Sequence, residues 1–223
     1  MSAHLRTGAD NSGVPAVPYI TTWSAEDRTA GAVTLRPDRC GIAYLDETPH
    51  DRDREGALWL RTGLARGRGR PRFGAVHPAR QRRAMRLMLC QVCAGPADRD
   101  ERGVLWLLGD DHDDWPGWPE EMGATHPPVC RPCALASLRL CPYLRRTHTA
   151  VRVARPRLGG VHGMLYGPPS GPGEVRPQPL GPALVPYGDS LIPWVLASQL
   201  AMQLRDCTPD HLDPDARHPR STP

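Results

Sequence analysis

The fold of this 223-residue chain depends on two short cysteine segments, Cys90-Gln91-Val92-Cys93 and Cys130-Arg131-Pro132-Cys133. In each segment two residues separate the cysteines, and a tight turn of this length brings both sulfurs within about 4 Å of each other. Two such pairs supply the four thiolates of a closed tetrahedral zinc site, with Zn–S distances of about 2.3 Å. We therefore predict that Cys90, Cys93, Cys130 and Cys133 bind a structural Zn²⁺.

Two other uses of these cysteines are less favoured. Four thiolates can hold an iron–sulfur cluster, and one Cys-x-x-Cys pair can act as a redox dithiol, although neither pair lies in a clear βαβ context. The remaining cysteines, Cys40, Cys141 and Cys207, are interpreted as small apolar residues. Because the cysteine count is odd and the N-terminus lacks a secretory signal, we expect a reducing, cytoplasmic location without disulfides.

The segment that joins the two pairs resembles the treble-clef zinc fingers, in which a knuckle is followed by a hairpin and then by a helix that carries the second ligand pair. Gly103–Leu108 is an apolar strand that suits the hairpin, and Pro132 suits the first turn of a helix. The resemblance covers about residues 90–141. The whole chain also resembles uncharacterised small zinc proteins of high-GC Gram-positive bacteria and their mobile elements, a resemblance that implies a location but no activity.

We predict an α+β fold in which short antiparallel strands flank the zinc module. Its five parts are a disordered segment 1–13, a β-rich region 14–77 with an Arg/Gly-rich loop, the treble-clef module 78–146, a region 147–207 of strands and a helix, and a disordered tail 208–223. Apolar residues at helical spacing predict three helices, Pro78–Met88, Val129–Cys141 and the amphipathic C-terminal Leu191–Leu204. Alternation or apolar runs predict strands at Val14–Trp23, Ala32–Arg36, Gly41–Asp46, Ala57–Arg61, Gly103–Leu108, Thr149–Ala154, Val161–Tyr166 and Ala183–Tyr187.

Composition excludes several protein classes. Hydrophobic residues make up 39% of the chain, while 26 Pro and 22 Gly indicate many turns. No apolar run approaches the roughly 20 residues of a membrane span, so we expect no membrane association. The usual signatures of hydrolases and nucleotide-binding enzymes are missing from the sequence. No small-molecule substrate is indicated, and we favour a binding protein over an enzyme.

Charge is arranged in blocks along the chain. Residues 61–86 carry nine Arg and no acid, residues 98–121 carry nine acids and two Arg, and residues 131–157 carry seven Arg and no acid. All 28 basic residues are Arg, as is usual for a protein from a high-GC genome. One interpretation is that the basic and acidic blocks neutralise each other within the fold; the other is that the arginines face a polyanion.

The first basic block contains Arg68-Gly69-Arg70-Pro71, which resembles an AT-hook, a motif whose arginines lie in the minor groove of DNA. The helix that follows adds further arginines. We predict that the chain is a DNA-binding accessory or regulatory protein in which phosphate and groove contacts are made by Arg68, Arg70, Arg72, Arg82, Arg83 and Arg86.

Two alternatives use the acidic segment between the cysteine pairs. A protein-interaction module would bind its partner through Trp115 and Trp118, although these indoles could equally cover a small core. A divergent HNH-type nuclease would use His112 as general base beside Asp111. The chain departs from that family because Ala134 stands where the family has a metal-binding His, and no Asn precedes the second cysteine pair.

Overall fold

The computed structural model describes residues 17–27, 31–109, 117–171 and 176–213, which form a mixed α+β structure made mostly of strands. The strands are β1 Thr21–Trp23, β2 Val33–Leu35, β3 Ile42–Tyr44, β4 Leu58–Trp59, β5 Pro71–Val76, β6 Arg99–Asp100, β7 Gly103–Leu108, β8 Gly123–Ala124, β9 Thr149–Val153, β10 Arg157–Gly167, β11 Gln178–Pro186, β12 Val195–Gln203 and β13 Cys207–Asp210. The helices are α1 Pro78–Arg86, α2 Arg131–Leu140 and α3 Pro142–Arg146, with one 3₁₀ turn at Ile192–Trp194.

Two sheets form the body of the structure, and their strands pair antiparallel except for the parallel pairing of β4 with β12. One has the order β11-β10-β12, and β12 also pairs with β4 and β8. The other has the order β13-β9-β7-β6. Strands β1 and β5 form a separate two-stranded ladder, as do β2 and β3.

Strand β7 lies between the two hydrophobic clusters of the core, and all six of its residues are buried. One face, with Val104 and Trp106, packs with Val161 and Leu200 of the first sheet in the main hydrophobic cluster. The other face, with Leu105 and Leu107, packs with α2 and the cysteines in a second cluster. Because both faces of β7 are covered, its sequence is a continuous apolar run instead of an alternating one. The strand predicted at Gly103–Leu108 is confirmed with the same bounds.

The predicted helix at residues 78–88 is confirmed as α1, which begins at Pro78 after a cap from the His77 side chain. Buried Gln81 joins α1 to the first sheet: its amide nitrogen donates to the Leu200 carbonyl oxygen at 2.8 Å, and its amide oxygen accepts from the Leu200 N–H at 2.9 Å. These bonds mimic a strand pairing, so α1 is fixed against the middle of β12.

The second predicted helix, at residues 129–141, is also confirmed, as α2 at Arg131–Leu140. The third, Leu191–Leu204, is wrong because this segment forms a short 3₁₀ turn and then β12. In the ladder with β10, His162 lies opposite Gln199 and Gly163 opposite Ala197, which leaves Ser198 as an extra residue. Because of this bulge, the buried residues Ala197 and Leu200 are three positions apart instead of two. A spacing of three is typical of one face of a helix, which is why the sequence pattern of this strand predicts a helix.

Two segments expected to be irregular also contain strands. The tail predicted to be disordered from Thr208 begins within β13, which pairs with residues 150–153 of β9. It is held by Asp210, whose carboxylate lies 2.6 Å from the guanidinium of buried Arg152. The Arg/Gly-rich loop predicted at residues 63–74 ends in strand β5. No helix in the described parts of the chain is long and apolar enough to cross a membrane.

A buried ion pair connects the N-terminal ladder to α1. Both carboxylate oxygens of Glu26 accept hydrogen bonds from the Arg80 guanidinium, at 2.6 and 2.7 Å. Burial alone would raise the pKa of Glu26, but the bonds and charge of Arg80, with the amides of Trp23 and Ala65, lower it to about 2. Glu26 therefore stays ionised at neutral pH in a place where an unpaired charge would be costly.

We expect the Glu26→Gln variant to lower the free energy of unfolding by about 3 kcal/mol at pH 7, because it leaves Arg80 buried without its counterion. Asp27→Asn is the matched control, since the Asp27 side chain is 78% exposed and 3.3 Å from Arg72, and it should cost less than about 1 kcal/mol. Denaturant unfolding measures both. The Glu26 contribution is present above pH 4.5 and decreases as the pH falls toward about 2. Equal losses in the two variants would contradict the assignment.

Candidate metal centre

The four predicted ligands come together at one point of the structure. One sulfur from each of Cys90, Cys93, Cys130 and Cys133 lies within 4.8 Å of the other three. The Sγ atoms of Cys93 and Cys130, from different pairs, are 3.8 Å apart, which is the separation expected across a tetrahedron with metal–sulfur distances of about 2.3 Å. The tetrad is therefore placed to hold a metal ion.

The first pair lies on a tight turn that follows α1. The Ala94 N–H donates to the Cys90 carbonyl oxygen at 2.9 Å, and the Cys90 N–H donates to the Gly95 carbonyl oxygen at 2.7 Å. Ala94 has a φ of 63°, which closes the turn. The Val92 N–H also points at the Cys90 sulfur, 3.4 Å away. Such a bond stabilises a thiolate, so the backbone is already arranged for an anionic ligand.

The second pair lies at the start of α2. Cys130 is the N-cap residue and Cys133 lies in the first helical turn, with Pro132 between them. Unpaired N–H groups and the helix dipole make this position favourable for thiolates. A hydrogen bond from the Gln91 N–H to the Pro128 carbonyl oxygen, 3.0 Å long, holds the knuckle against the segment that leads into α2.

The interior side of the tetrad is apolar. Cys90 and Cys133 are buried and pack with Val92, Leu105 and Val129 of the second cluster, while Cys93 and Cys130 are more accessible. Such a shell keeps water from the inner sulfurs, and four protein ligands leave no open coordination position. The arrangement suits a structural metal and not a catalytic one.

Without a cation, the thiols of the tetrad must share their protons. Hydrogen bonds from Cys130 and Cys133 lower the pKa of Cys90. Hydrogen bonds with Cys130 and Cys90, together with burial, raise the pKa of Cys133. Because a divalent cation binds thiolates, its binding to this cluster would release the protons that the thiols carry. Cys40, Cys141 and Cys207 lie outside this group.

Four of the six arginines predicted to contact DNA are exposed and have no carboxylate partner within the described ranges. Arg68 and Arg70 lie on the turn that precedes β5, and Arg83 and Arg86 lie on α1. Beside the first two lies Arg66, also exposed, with its guanidinium 5.1 Å from the centre of the Tyr19 ring.

The other two predicted arginines have intramolecular contacts. Arg72 is exposed on β5 and lies 3.3 Å from the Asp27 carboxylate. Arg82 is half-buried, with its guanidinium 4.5 Å above the centre of the Trp59 ring. Its packing role is a sufficient reason for its presence on α1.

Of the residues assigned to the two alternative functions, the structure describes one. Trp118 is half-buried and packs against the main hydrophobic cluster, so its indole covers the core. Trp115, Asp111 and His112 lie outside the described residues, as does the predicted disordered segment 1–13.

Sequence reasoning did not single out Phe73, which is the only Phe in the chain and is 67% exposed on β5. The available signal was its place directly after Arg72 in a segment without acids.

No protein-family model matches the chain, and no curated protein or solved structure matches it significantly.

Substitution of a ligand should abolish metal binding, whereas substitution of a nearby cysteine should not. We expect Cys133→Ser to reduce the bound metal from one ion per chain to almost none, because three thiolates close the site poorly. Cys141→Ser is the matched control, since Cys141 lies at the far end of α2 and outside the tetrad. Elemental analysis of both purified proteins measures the difference. The same metal content in the two variants would rule out Cys133 as a ligand.

Proposed function

We propose that the chain is a binding protein stabilised by a structural Zn²⁺ held by the cysteine tetrad. The observation that carries this proposal is the convergence of four sulfurs within 4.8 Å, with no fifth ligand group in the described cluster. Zinc favours tetrahedral thiolate sites and has no redox chemistry that could damage them. When bound, the ion would supply no catalysis but would join two segments that are 37 residues apart in the chain.

The same elements support a treble-clef arrangement of the module. A knuckle at Cys90–Cys93 is followed by the β6–β7 pairing and then by α2, whose first turn carries the second pair. The strand that continues the sheet beyond β7 is β9, which lies after α2 in the chain. The metal would therefore fix α2 against the outer face of β7.

Protein purified without chelator should contain one zinc per chain by elemental analysis. A strong chelator at neutral pH should remove the zinc and lower the melting temperature, because the binding free energy of a structural site, on the order of 10 kcal/mol, contributes to folding. Re-addition of Zn²⁺ should restore the transition. Iron with visible absorbance in place of zinc would indicate a cluster, and a metal-free folded protein would contradict the proposal.

We further propose that this zinc-stabilised fold binds DNA, in an accessory or regulatory role. The supporting observation is that Arg66, Arg68 and Arg70 occupy one exposed turn, with Arg83 and Arg86 on the exposed side of α1. The carboxylates that neutralise other arginines of this block, such as Glu26 with Arg80, do not reach them. A surface of exposed, unneutralised guanidinium groups attracts the phosphate backbone of nucleic acids.

The contact that these arginines make should differ from that of an AT-hook. Ser24 and Arg70 form two hydrogen bonds, from the Ser24 N–H to the Arg70 carbonyl oxygen at 2.8 Å and from the Arg70 N–H to the Ser24 Oγ at 2.9 Å. Gly69 lies directly against Ser24, where a side chain would overlap the hydroxyl group. The Gly69 backbone is therefore occupied within the protein, and we propose that the arginines contact phosphates from a fixed turn.

Duplex DNA should bind with a steep salt dependence, measured by fluorescence anisotropy over a salt series. Each phosphate contact adds about 0.9 to the slope of log K against log salt, so Arg68→Ala and Arg70→Ala should each lower the slope by about that amount. Arg36→Ala is the control, because the Arg36 guanidinium lies 3.0 Å from Asp38. Unchanged slopes in the two test variants would refute the assigned contacts, and lack of binding at low salt would refute binding to duplex DNA.

A further inference from the structure

The ladder between β1 and β5 contains an unusually large bulge. Thr22 lies opposite Arg72 and the neighbouring Thr21 lies opposite Val76. The three residues of β5 between Arg72 and Val76 therefore have no partner on β1. Bulges redirect side chains away from the regular ladder, and this one contains Phe73.

The bulge projects Phe73 into solvent. The ring is 67% exposed, and a side chain added at the adjacent Gly74 would meet no atom within 4 Å. A single exposed apolar residue is common on protein surfaces and does not by itself indicate a binding site. The neighbours of Phe73 make it distinctive, because it follows a turn whose exposed side chains are guanidinium groups.

Backbone contacts fix the segment that carries these arginines and Phe73. The two Ser24–Arg70 hydrogen bonds attach the turn to the end of β1, and the Arg72–Thr22 pairing attaches the start of β5. Phe73 is three residue steps beyond Arg70, a backbone distance of about 10 Å if each extended residue spans roughly 3.3 Å. This is the span of about three stacked nucleotides at 3.4 Å per step of one strand.

We propose that Phe73 stacks on an unpaired base while Arg68 and Arg70 contact the flanking phosphates, which makes single-stranded DNA the preferred ligand of this surface. The inference rests on the proposed function, DNA binding by the exposed arginines, and specifies its ligand. Base–aromatic stacking beside a basic surface is the common mode of single-strand recognition. An aromatic ring near cationic side chains is complementary to a single strand of DNA, which presents both charged phosphates and the flat faces of its unpaired bases.

A single strand suits Phe73 better than a duplex does. Insertion of an apolar side chain into a duplex first requires a base step to unstack, and proteins that do this recover the cost by contacting a large surface of bent DNA. The exposed arginines that precede Phe73 in the chain lie on one short turn. An unpaired base offers its face without that cost.

The test compares a labelled 15-nucleotide single strand of mixed sequence with the duplex of the same sequence, by anisotropy at low salt. Wild-type protein should bind the single strand more tightly. Phe73→Ala should weaken single-strand binding about 5- to 100-fold, the range found for loss of one base stack, and should leave duplex binding unchanged. Phe73→Trp should retain the affinity. Leu45→Ala is the matched control, because Leu45 directly follows β3 and is 80% exposed, and it should have no effect.

The outcomes separate the inference from the function on which it rests. If Phe73→Ala binds the single strand like wild type while Arg68→Ala weakens it, the stacking role is wrong and DNA binding stands. If the wild type binds the duplex more tightly, or if Phe73→Ala weakens both ligands equally, the single-strand preference is wrong. If the wild type binds neither ligand, both proposals fail. Should Phe73→Ala lower the melting temperature, Phe73→Leu keeps the apolar bulk and must still show the loss.

Discussion

Four thiols whose sulfurs lie within 4.8 Å of one another cannot all ionise unless a cation lies among them. This constraint organises the centre of the molecule. The first pair ends the turn after α1, the second begins α2, and β7 runs between them with every residue buried. A metal in the tetrad would hold α2 on the outer face of β7, while the inner face of the same strand packs against the first sheet. The metal centre and the main core therefore share one strand.

The arginines of the chain divide into two groups by their surroundings. Arg80 and Arg152 are buried, and each has carboxylates from distant segments: Glu26 for the first, Asp98 and Asp210 for the second. These pairs join the N-terminal ladder to α1 and the C-terminal strand to the second sheet. Of these pairs, only Arg152–Asp98 joins a basic block to the acidic block 98–121, because Glu26 and Asp210 lie outside that block. The exposed arginines of the first block without a carboxylate partner in the described residues lie on the turn before β5 and on α1.

The partition of charge has a direct consequence for function. A buried guanidinium is costly without its carboxylate partners, so each of these pairs keeps its elements together. An exposed one without a carboxylate contributes to the external field and to association. The turn that carries Arg68 and Arg70 also carries the glycines and the Ser24 contacts that fix its shape. Phe73 lies on the bulge that follows. Exposed cationic groups and an exposed aromatic ring thereby lie within six residues of each other in the chain, from Arg68 to Phe73.

The sequence by itself determined the features that depend on local chemistry. The cysteine spacing identified all four members of the tetrad, the continuous apolar run identified β7, and Pro78 and the apolar periodicity identified α1. The tertiary structure decided the features that depend on partners distant in the chain. Leu191–Leu204 has helical spacing and helix-forming residues, yet β10 and a bulge at Ser198 make most of it a strand. Asp210 belongs to a polar, Pro-rich tail, but its carboxylate pairs with the buried guanidinium of Arg152, and this pair holds the start of the tail in the sheet. The exposure of Phe73 arises from a mismatch of register between β1 and β5, which only the paired strands reveal.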